Sequence, residues 1–578
     1  MRAHKKRPLT LVYDRGRPRL AVDATDEPQE ECAIAHGVTP APRVTGQLRR
    51  EVGLTSLMFI SLGSIIGSGW LLGALLAAQI AGPASLLSWI LGGAIIALLA
   101  LIHAELGSAY PMAGGTARFP HLVFGSIPGF TAGWAAWLQA VTIAPIEVEA
   151  ALSYLNNKAP GLVKADMTLT GEGLLISAAL MLGFTALNIL GVRWLAESNK
   201  ITVLWKIAIP VLTVIMLLTV SFHASNFTAG GGFAPFGVHG IFAALPAGIV
   251  FAVQGFEQAI QMGGEAKNPA RDMPRAVIGA MLIGTVIYLL LEVAFIGALS
   301  PGNLVHGWAG SIVGKGDFGP YATIATGLGL GWLAALLYVD AFISPAGTGL
   351  VYLGTSSRLS YALGRNGYLP GAVDKVSKRG VPWVSILLAF VVGLIVFLPF
   401  PSWQSLVGLV TSATAIMYAF APVSLGALRK SDPDRKRPYR LPFAAVLSPL
   451  GFVSANLIVY WSGWTTVNRL FGALILGLVA FGISMVLRKP DKRPIVDWKA
   501  SIWVLPWLAG MAVISYLGQF TGGRGTIPFY LDLVVVAVFS LVIYYMAVAL
   551  SMPAEKVQAA IAAEEFDADN QPELKVAG

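Results

Sequence analysis

The sequence predicts an all-α polytopic membrane protein. Three observations carry this. Only 12% of the 578 residues are charged and 55% are hydrophobic, whereas about a quarter of a soluble domain is charged. The apolar residues gather into fourteen runs, each close to the roughly 20 residues a bilayer-spanning helix needs. The runs do not alternate in the segments of about ten residues that mark an outer-membrane barrel. The same composition excludes disorder over most of the chain. The single cysteine, Cys32, excludes an internal disulfide framework.

Residues 1–51 are polar, hold ten Lys/Arg and lack the apolar core of a signal peptide, so they read as a disordered basic cytoplasmic tail. The spans follow near 53–80, 84–109, 128–154, 172–191, 200–222, 238–263, 276–299, 321–346, 382–400, 404–428, 443–464, 466–487, 501–519 and 527–551. Five fall in 52–222, five in 237–428 and four in 443–551. Residues 552–578, with Glu564, Glu565, Asp567 and Asp569, read as a second polar cytoplasmic tail.

Charge sets the orientation. With the N-terminus inside, the inner segments hold 35 of the 40 Lys/Arg and the outer segments five: Lys158, Lys164, Lys315, Arg469 and Arg524. Basic residues favour the cytoplasmic side, so both termini are expected there, in a bacterial-type plasma membrane. The net charge of +9 lies along one membrane face and forms no folded basic domain, which argues against nucleic acid. Trp134, Trp137, Trp205, Trp332, Trp461 and Trp464 read mostly as interface anchors, and Asp532, opening the last span, as an interfacial residue.

Two spans carry glycine where a helix should be regular. The first holds Gly63-Ser-Ile-Ile-Gly-Ser-Gly69, and the sixth holds Gln254-Gly-Phe-Glu257. Glycine loosens a helix interior. Two such segments five spans apart predict a pair of broken helices in a five-plus-five inverted repeat. Gly67-Ser-Gly69 is not a nucleotide loop, because it lies inside an apolar run with no preceding strand. No nucleophile–base pair or metal cluster stands out, so neither an enzyme nor a cofactor is expected.

The chain resembles the amino acid–polyamine–organocation superfamily of permeases. The resemblance rests on Ser64-Ile-Ile-Gly-Ser-Gly69, His103-Ala-Glu-Leu-Gly-Ser-Ala-Tyr-Pro111, Phe251-Ala-Val-Gln-Gly-Phe-Glu257, Gly264-Glu-Ala-Lys-Asn-Pro269, Tyr361-Ala-Leu-Gly-Arg-Asn-Gly-Tyr-Leu-Pro370 and Arg437-Pro-Tyr-Arg440, in order. It implies a sodium-symporter-like fold with about four added C-terminal helices, and secondary transport of an amino acid or amine. Pro145-Ile-Glu-Val-Glu149 and Asp340 to Gly349 are similar to the bacterial aspartate:proton symporter branch. A polyamine or cationic amino acid exchanger, and a non-transporting nutrient sensor of the same fold, are the alternatives.

A broken helix exposes free N–H groups at a positive dipole end. Ser68 and Gly69 are the expected donors to a substrate carboxylate, with Gly67 leaving the approach open. Carbonyls of Ile65, Phe251, Ala252 and Gln254 are the expected acceptors for its ammonium, and the resemblance places the Phe251 ring over the substrate. Lys206 lies inside the fifth span, where a charge is costly and often functional. It matches the fifth-helix lysine of proton-coupled members, with contacts expected near Gly67 and Ser344. Glu257 reads as a gate or stabiliser of the sixth-helix break. Asp340 reads as a proton site or a partner of Lys206. Glu149 shares a polar stripe with Gln139, Thr142, Ser153 and Asn156, which should turn it inward; Glu147, two residues away, is harder to place, and the preceding Pro145 can rotate both. The expected partners are an amino acid, protons and the lipid bilayer.

Overall fold

The computed structural model describes residues 11–14, 17–20, 52–112, 114–190, 193–313, 319–373, 375, 382–398, 402–490 and 493–570. Among the described residues, eleven helical stretches are long and apolar enough to cross a membrane, and three shorter apolar helices, Leu54–Ile65, Gly237–Val253 and Trp383–Val396, accompany them. The fold is all-α across the apolar runs.

In chain order, α1 (Leu54–Ile65) and α2 (Gly69–Ala81) are the halves of one interrupted span. Then come α3 (Ser85–Ala109), the short α4 (Gly115–Phe124), α5 (Ser126–Asn156), α6 (Gly171–Leu190) and α7 (Arg193–Val220). A second interrupted span comprises α8 (Gly237–Val253) and α9 (Glu257–Gln261). It is followed by α10 (Pro269–Ala298), α11 (Pro320–Gly327), α12 (Gly331–Arg365), α13 (Trp383–Val396) and α14 (Trp403–Ser431). The series closes with α15 (Ala444–Trp461), α16 (Trp464–Leu487), α17 (Trp498–Leu517), α18 (Leu531–Leu550) and α19 (Ala554–Asn570).

Burial sorts these helices. The most apolar stretches of α5 and α14 are 94% buried, while those of α6 and α18 are 28% buried. The first pair forms the centre; the second presents Leu175, Leu182, Val538 and Val542 outward, as helices against lipid tails do. Around the centre, α5 packs on α12 and α14, and α10 packs on α3 and α1. The two interrupted spans are tied together. The Val52 N–H donates to the Glu265 carbonyl (3.0 Å), the Lys267 N–H returns to the Val52 carbonyl (2.9 Å), and the Ser61 hydroxyl donates to the Phe256 carbonyl (3.3 Å).

Four differences from the sequence reading have physical causes. The run expected at 321–346 is two helices, because Gly327, Gly329 and Gly331 punctuate it; Gly329 sits at φ +76°, and α12 then runs on to Arg365. Asp532 is fully buried and takes the Tyr460 hydroxyl, where an interfacial residue was expected. Trp134, Trp137 and Trp461 are buried packing residues and not anchors, whereas Trp332 is about half exposed. The tail after 552 is the helix α19, whose Ala, Glu, Lys and Gln favour that conformation. Its Val557 and Ile561, one turn apart, are buried, and Glu564 pairs with Arg118 of α4 (2.6 Å).

Within the segment 1–51, read as a disordered tail, β1 (Leu11–Asp14) and β2 (Arg17–Leu20) form a small antiparallel hairpin with Leu11 opposite Leu20. The rest of that segment lies outside the described residues, as do Lys315 and residues 571–578.

Candidate functional site

The first break spans Ile66 to Ser68. Ile66 leaves helical geometry at φ −92° and ψ 86°, and the Tyr288 hydroxyl caps the freed Ile65 carbonyl at 2.8 Å. At the new helix start, the Ser68 N–H donates to Glu147 Oε2 at 2.9 Å, and the Ser68 hydroxyl accepts from Trp403 Nε1 at 3.0 Å. Both glycines sit in close quarters, Gly69 against backbone and Gly67 against a side chain. A Cβ on Gly69 would lie 2.9 Å from the Ala252 Cα, and one on Gly67 would lie 2.6 Å from Glu147 Oε1.

The second break lies against the first. Gln254 is extended at ψ 163°, and Gly255 takes φ +128°, which L side chains avoid. A Cβ on Gly255 would meet the Ile65 backbone nitrogen at 2.8 Å. Glu257 holds the turn. It accepts from the Gly255 N–H (3.0 Å), Gln139 (2.9 Å), Tyr352 (3.1 Å) and Tyr418 (2.5 Å), and so links α5, α12 and α14 to one peptide group. Of its two expected roles, this geometry supports stabilising the break.

Between the breaks lies a narrow cavity lined by Ile65, Gly67, Gly69, Phe251 and Gln254 from the interrupted spans, with Glu147 and Thr348 beside them. The Phe251 ring meets Trp403 edge-on, centroids 5.6 Å apart. Ala252 forms the wall against Gly69. Both polar atoms of the Gln254 amide are buried without a partner at this cavity, although buried amides are normally satisfied.

Lys206 of α7 is buried and donates to the Gly63 carbonyl (2.8 Å) and the Thr348 hydroxyl (2.6 Å). Its contacts thus lie about one turn from those expected: Gly63 replaces the carbonyls near Gly67, and Thr348 replaces Ser344. The Ser344 hydroxyl instead donates to Asp340 Oδ1 (2.6 Å), which also accepts from Trp205 Nε1 (2.7 Å). Asp340 is close enough for Coulombic influence on Lys206, but the two form no hydrogen bond or ion pair. The stripe of Gln139, Thr142, Glu149, Ser153 and Asn156 is buried throughout. Glu149 is buried with neither oxygen partnered, and Glu147 reaches the cavity. Pro145 lies inside α5 just before both and removes a helical hydrogen bond there; α5 is buried on every side around it, so helical spacing alone does not say which of the two carboxylates meets the cavity. That proline was the available signal for Glu147.

Two interrupted helices enclosing a small cavity, with a buried ammonium on one break and a carboxylate on the other, define a membrane transporter of the broken-helix kind. The family model for amino acid permeases matches residues 52–481. The chain belongs to the amino acid permease family, and it is a transporter and not an enzyme. It is 40% identical to the Bacillus subtilis glutamate/serine transporter AimA over 511 residues, 87% of this chain and 94% of that protein. It is 38% identical to the aspartate-proton symporter of the same organism over 512 residues, 88% of this chain and 98% of the relative. The branched-chain amino acid permease BcaP of B. subtilis is 27% identical over 453 residues.

Proposed function

We propose that this protein is a proton-coupled symporter of an acidic or small neutral amino acid, working by alternating access, with both termini in the cytoplasm. One observation carries the coupling: the Lys206 ammonium sits on the Gly63 carbonyl beside the first helix break. A positive charge there supports the geometry of the break, so a change of charge in the cavity beside it acts on the helix that must move.

The amino acid's carboxylate goes to the helix start at Ser68 and Gly69. Its ammonium goes to the carbonyls around Ile65, Phe251 and Ala252, under the Phe251 ring, while Gln254 supplies the amide for a polar side chain. The relatives named for glutamate, serine and aspartate support that side-chain class. The inverted repeats are 52–222 and 237–428, with 443–551 as an added bundle.

Uptake of labelled aspartate, glutamate, serine, arginine and putrescine into proteoliposomes tests this, with proton and sodium gradients imposed separately. Proton-driven uptake of an acidic or neutral amino acid is expected. Sodium-driven uptake, or best competition by putrescine, which has no carboxylate, overturns it.

A further inference from the structure

One of the two donors assigned above to the substrate carboxylate is already in use. The Ser68 N–H donates to Glu147 Oε2 at 2.9 Å, at the positive end of the thirteen-residue α2. A helix start is an anion site, built from free N–H groups and the dipole; here the protein's own carboxylate fills it. The neighbouring backbone has no side chain in the way, since a Cβ on Gly67 would lie 2.6 Å from Glu147 Oε1. The unpartnered Gln254 amide at the same cavity is a second sign that a further polar ligand belongs there.

We propose that Glu147 is a resident competitor for the substrate's carboxylate, and that each substrate bound displaces it and leaves a proton on it. This rests on the reading of Ser68 and Gly69 as the carboxylate site. One N–H cannot satisfy two carboxylates, and two like charges desolvated side by side repel strongly.

The groups facing Glu147 leave little alternative compensation. Lys206 of α7 is the cation near enough to act on it, and two of its three donor positions are committed to Gly63 and Thr348. Tyr288 of α10 is turned to the Ile65 carbonyl. On α12, Tyr352 is bound to Glu257, and Asp340 to Trp205 and Ser344. From α2 the approach is the N–H itself, and from α14 the Trp403 indole is committed to the Ser68 hydroxyl. A proton from solution, taken up as the carboxylate leaves the N–H, neutralises Glu147. It is released when the substrate departs and the carboxylate returns to Ser68. Substrate occupancy and protonation are then linked in the same cavity, with Glu147 carrying the proton and Lys206 holding the break.

The test uses the purified full-length protein and Glu147→Gln. Binding of labelled aspartate, glutamate and serine is measured from pH 5.5 to 8, together with proton uptake in weakly buffered solution. Wild-type affinity is expected to fall by up to about ten-fold per pH unit as pH rises, the slope for one linked proton, with proton uptake on binding. Glu147→Gln is expected to bind with no such slope and no proton uptake, at least as tightly as wild type at pH 7.5, and to exchange substrate without concentrating it. A wild-type slope in Glu147→Gln, or binding by wild type without proton uptake, overturns the proposal. Should the variant fail to fold, infrared difference spectra of wild type decide: a protonated-carboxyl band must appear on binding, and its absence sinks the idea. If wild type binds none of the amino acids, the reading of the carboxylate site has failed, and not the role of Glu147.

Discussion

The ammonium of Lys206 donates to the carbonyl of Gly63 at 2.8 Å, joining α7 to the last turn before the first helix break. The same ammonium holds Thr348 of α12, whose hydroxyl also reaches the Gly63 carbonyl at 3.3 Å. A single side chain therefore fastens α1, α7 and α12 together beside the cavity between the breaks.

Replacing Lys206 by Ala removes this fastening and the charge. Proton-driven uptake is expected to fall below about a tenth of wild type, which corresponds to at least 1.4 kcal/mol of lost coupling. Counterflow exchange is expected to persist. Uptake in proteoliposomes, compared with and without the proton gradient, checks it; gradient-driven accumulation at the wild-type level would show that Lys206 has no part in coupling.

Gly69→Val is expected to weaken binding of every substrate together, because the new Cβ would lie 2.9 Å from the Ala252 backbone and a branched side chain is stiff at χ1. Gly69→Ala should lie between the two. Equilibrium binding on detergent-solubilised protein is the measurement, and wild-type affinity in Gly69→Val would mean that the break is only a packing device.

Glu257→Gln turns an acceptor-only group into one that presents an amide to the same donors. One buried donor, such as the Gly255 N–H, is then left unsatisfied, at a cost of about 1–3 kcal/mol. The expected result is a lowered thermal midpoint, whatever the substrate. An unchanged midpoint would show that the four hydrogen bonds on Glu257 carry no stability.

His121 of α4 gives a pH dependence. Burial, and then the Arg118 charge, hold its pKa at about 4, below the ordinary 6.5, and it bonds the Tyr368 hydroxyl at 2.7 Å. The unfolded chain therefore binds a proton first as pH falls. The contribution is complete above about pH 6.5 and is lost progressively towards pH 4, by up to about 3 kcal/mol. Melting curves between pH 7.5 and 4 should show a smaller acid shift in His121→Asn than in wild type; equal shifts would place the acid sensitivity elsewhere.

Much of this architecture is legible in the residues, and the limits are specific. The breaks at Gly67 and Gly255 could be read because their segments fall five spans apart; either alone reads equally well as close helix packing. Lys206 could be read because a lysine inside a span is expensive. The choice between Glu147 and Glu149 could not. Two positions separate them, and α5 is buried on every side around both, so only the packed neighbours decide which one meets the cavity. The same holds for Asp340, whose hydrogen bonds go to Trp205 and Ser344; which neighbour takes a buried carboxylate is a matter of tertiary distance, not spacing. Indole rings mislead for a further reason. Trp134 and Trp137 stack on each other with centroids 4.6 Å apart, and composition alone does not distinguish such a pair from anchors at a lipid headgroup.

α19 pairs with α4 through Glu564 and Arg118 and with Asp497 through Lys556. It leaves the ribosome after the apolar spans, so these contacts close only once those helices have been made. A premature stop after residue 550 would spare all the apolar spans and leave Arg118 and Asp497 without those partners. The defect would be one of finishing, not of insertion, and a purification tag belongs beyond residue 570, not at the end of α18.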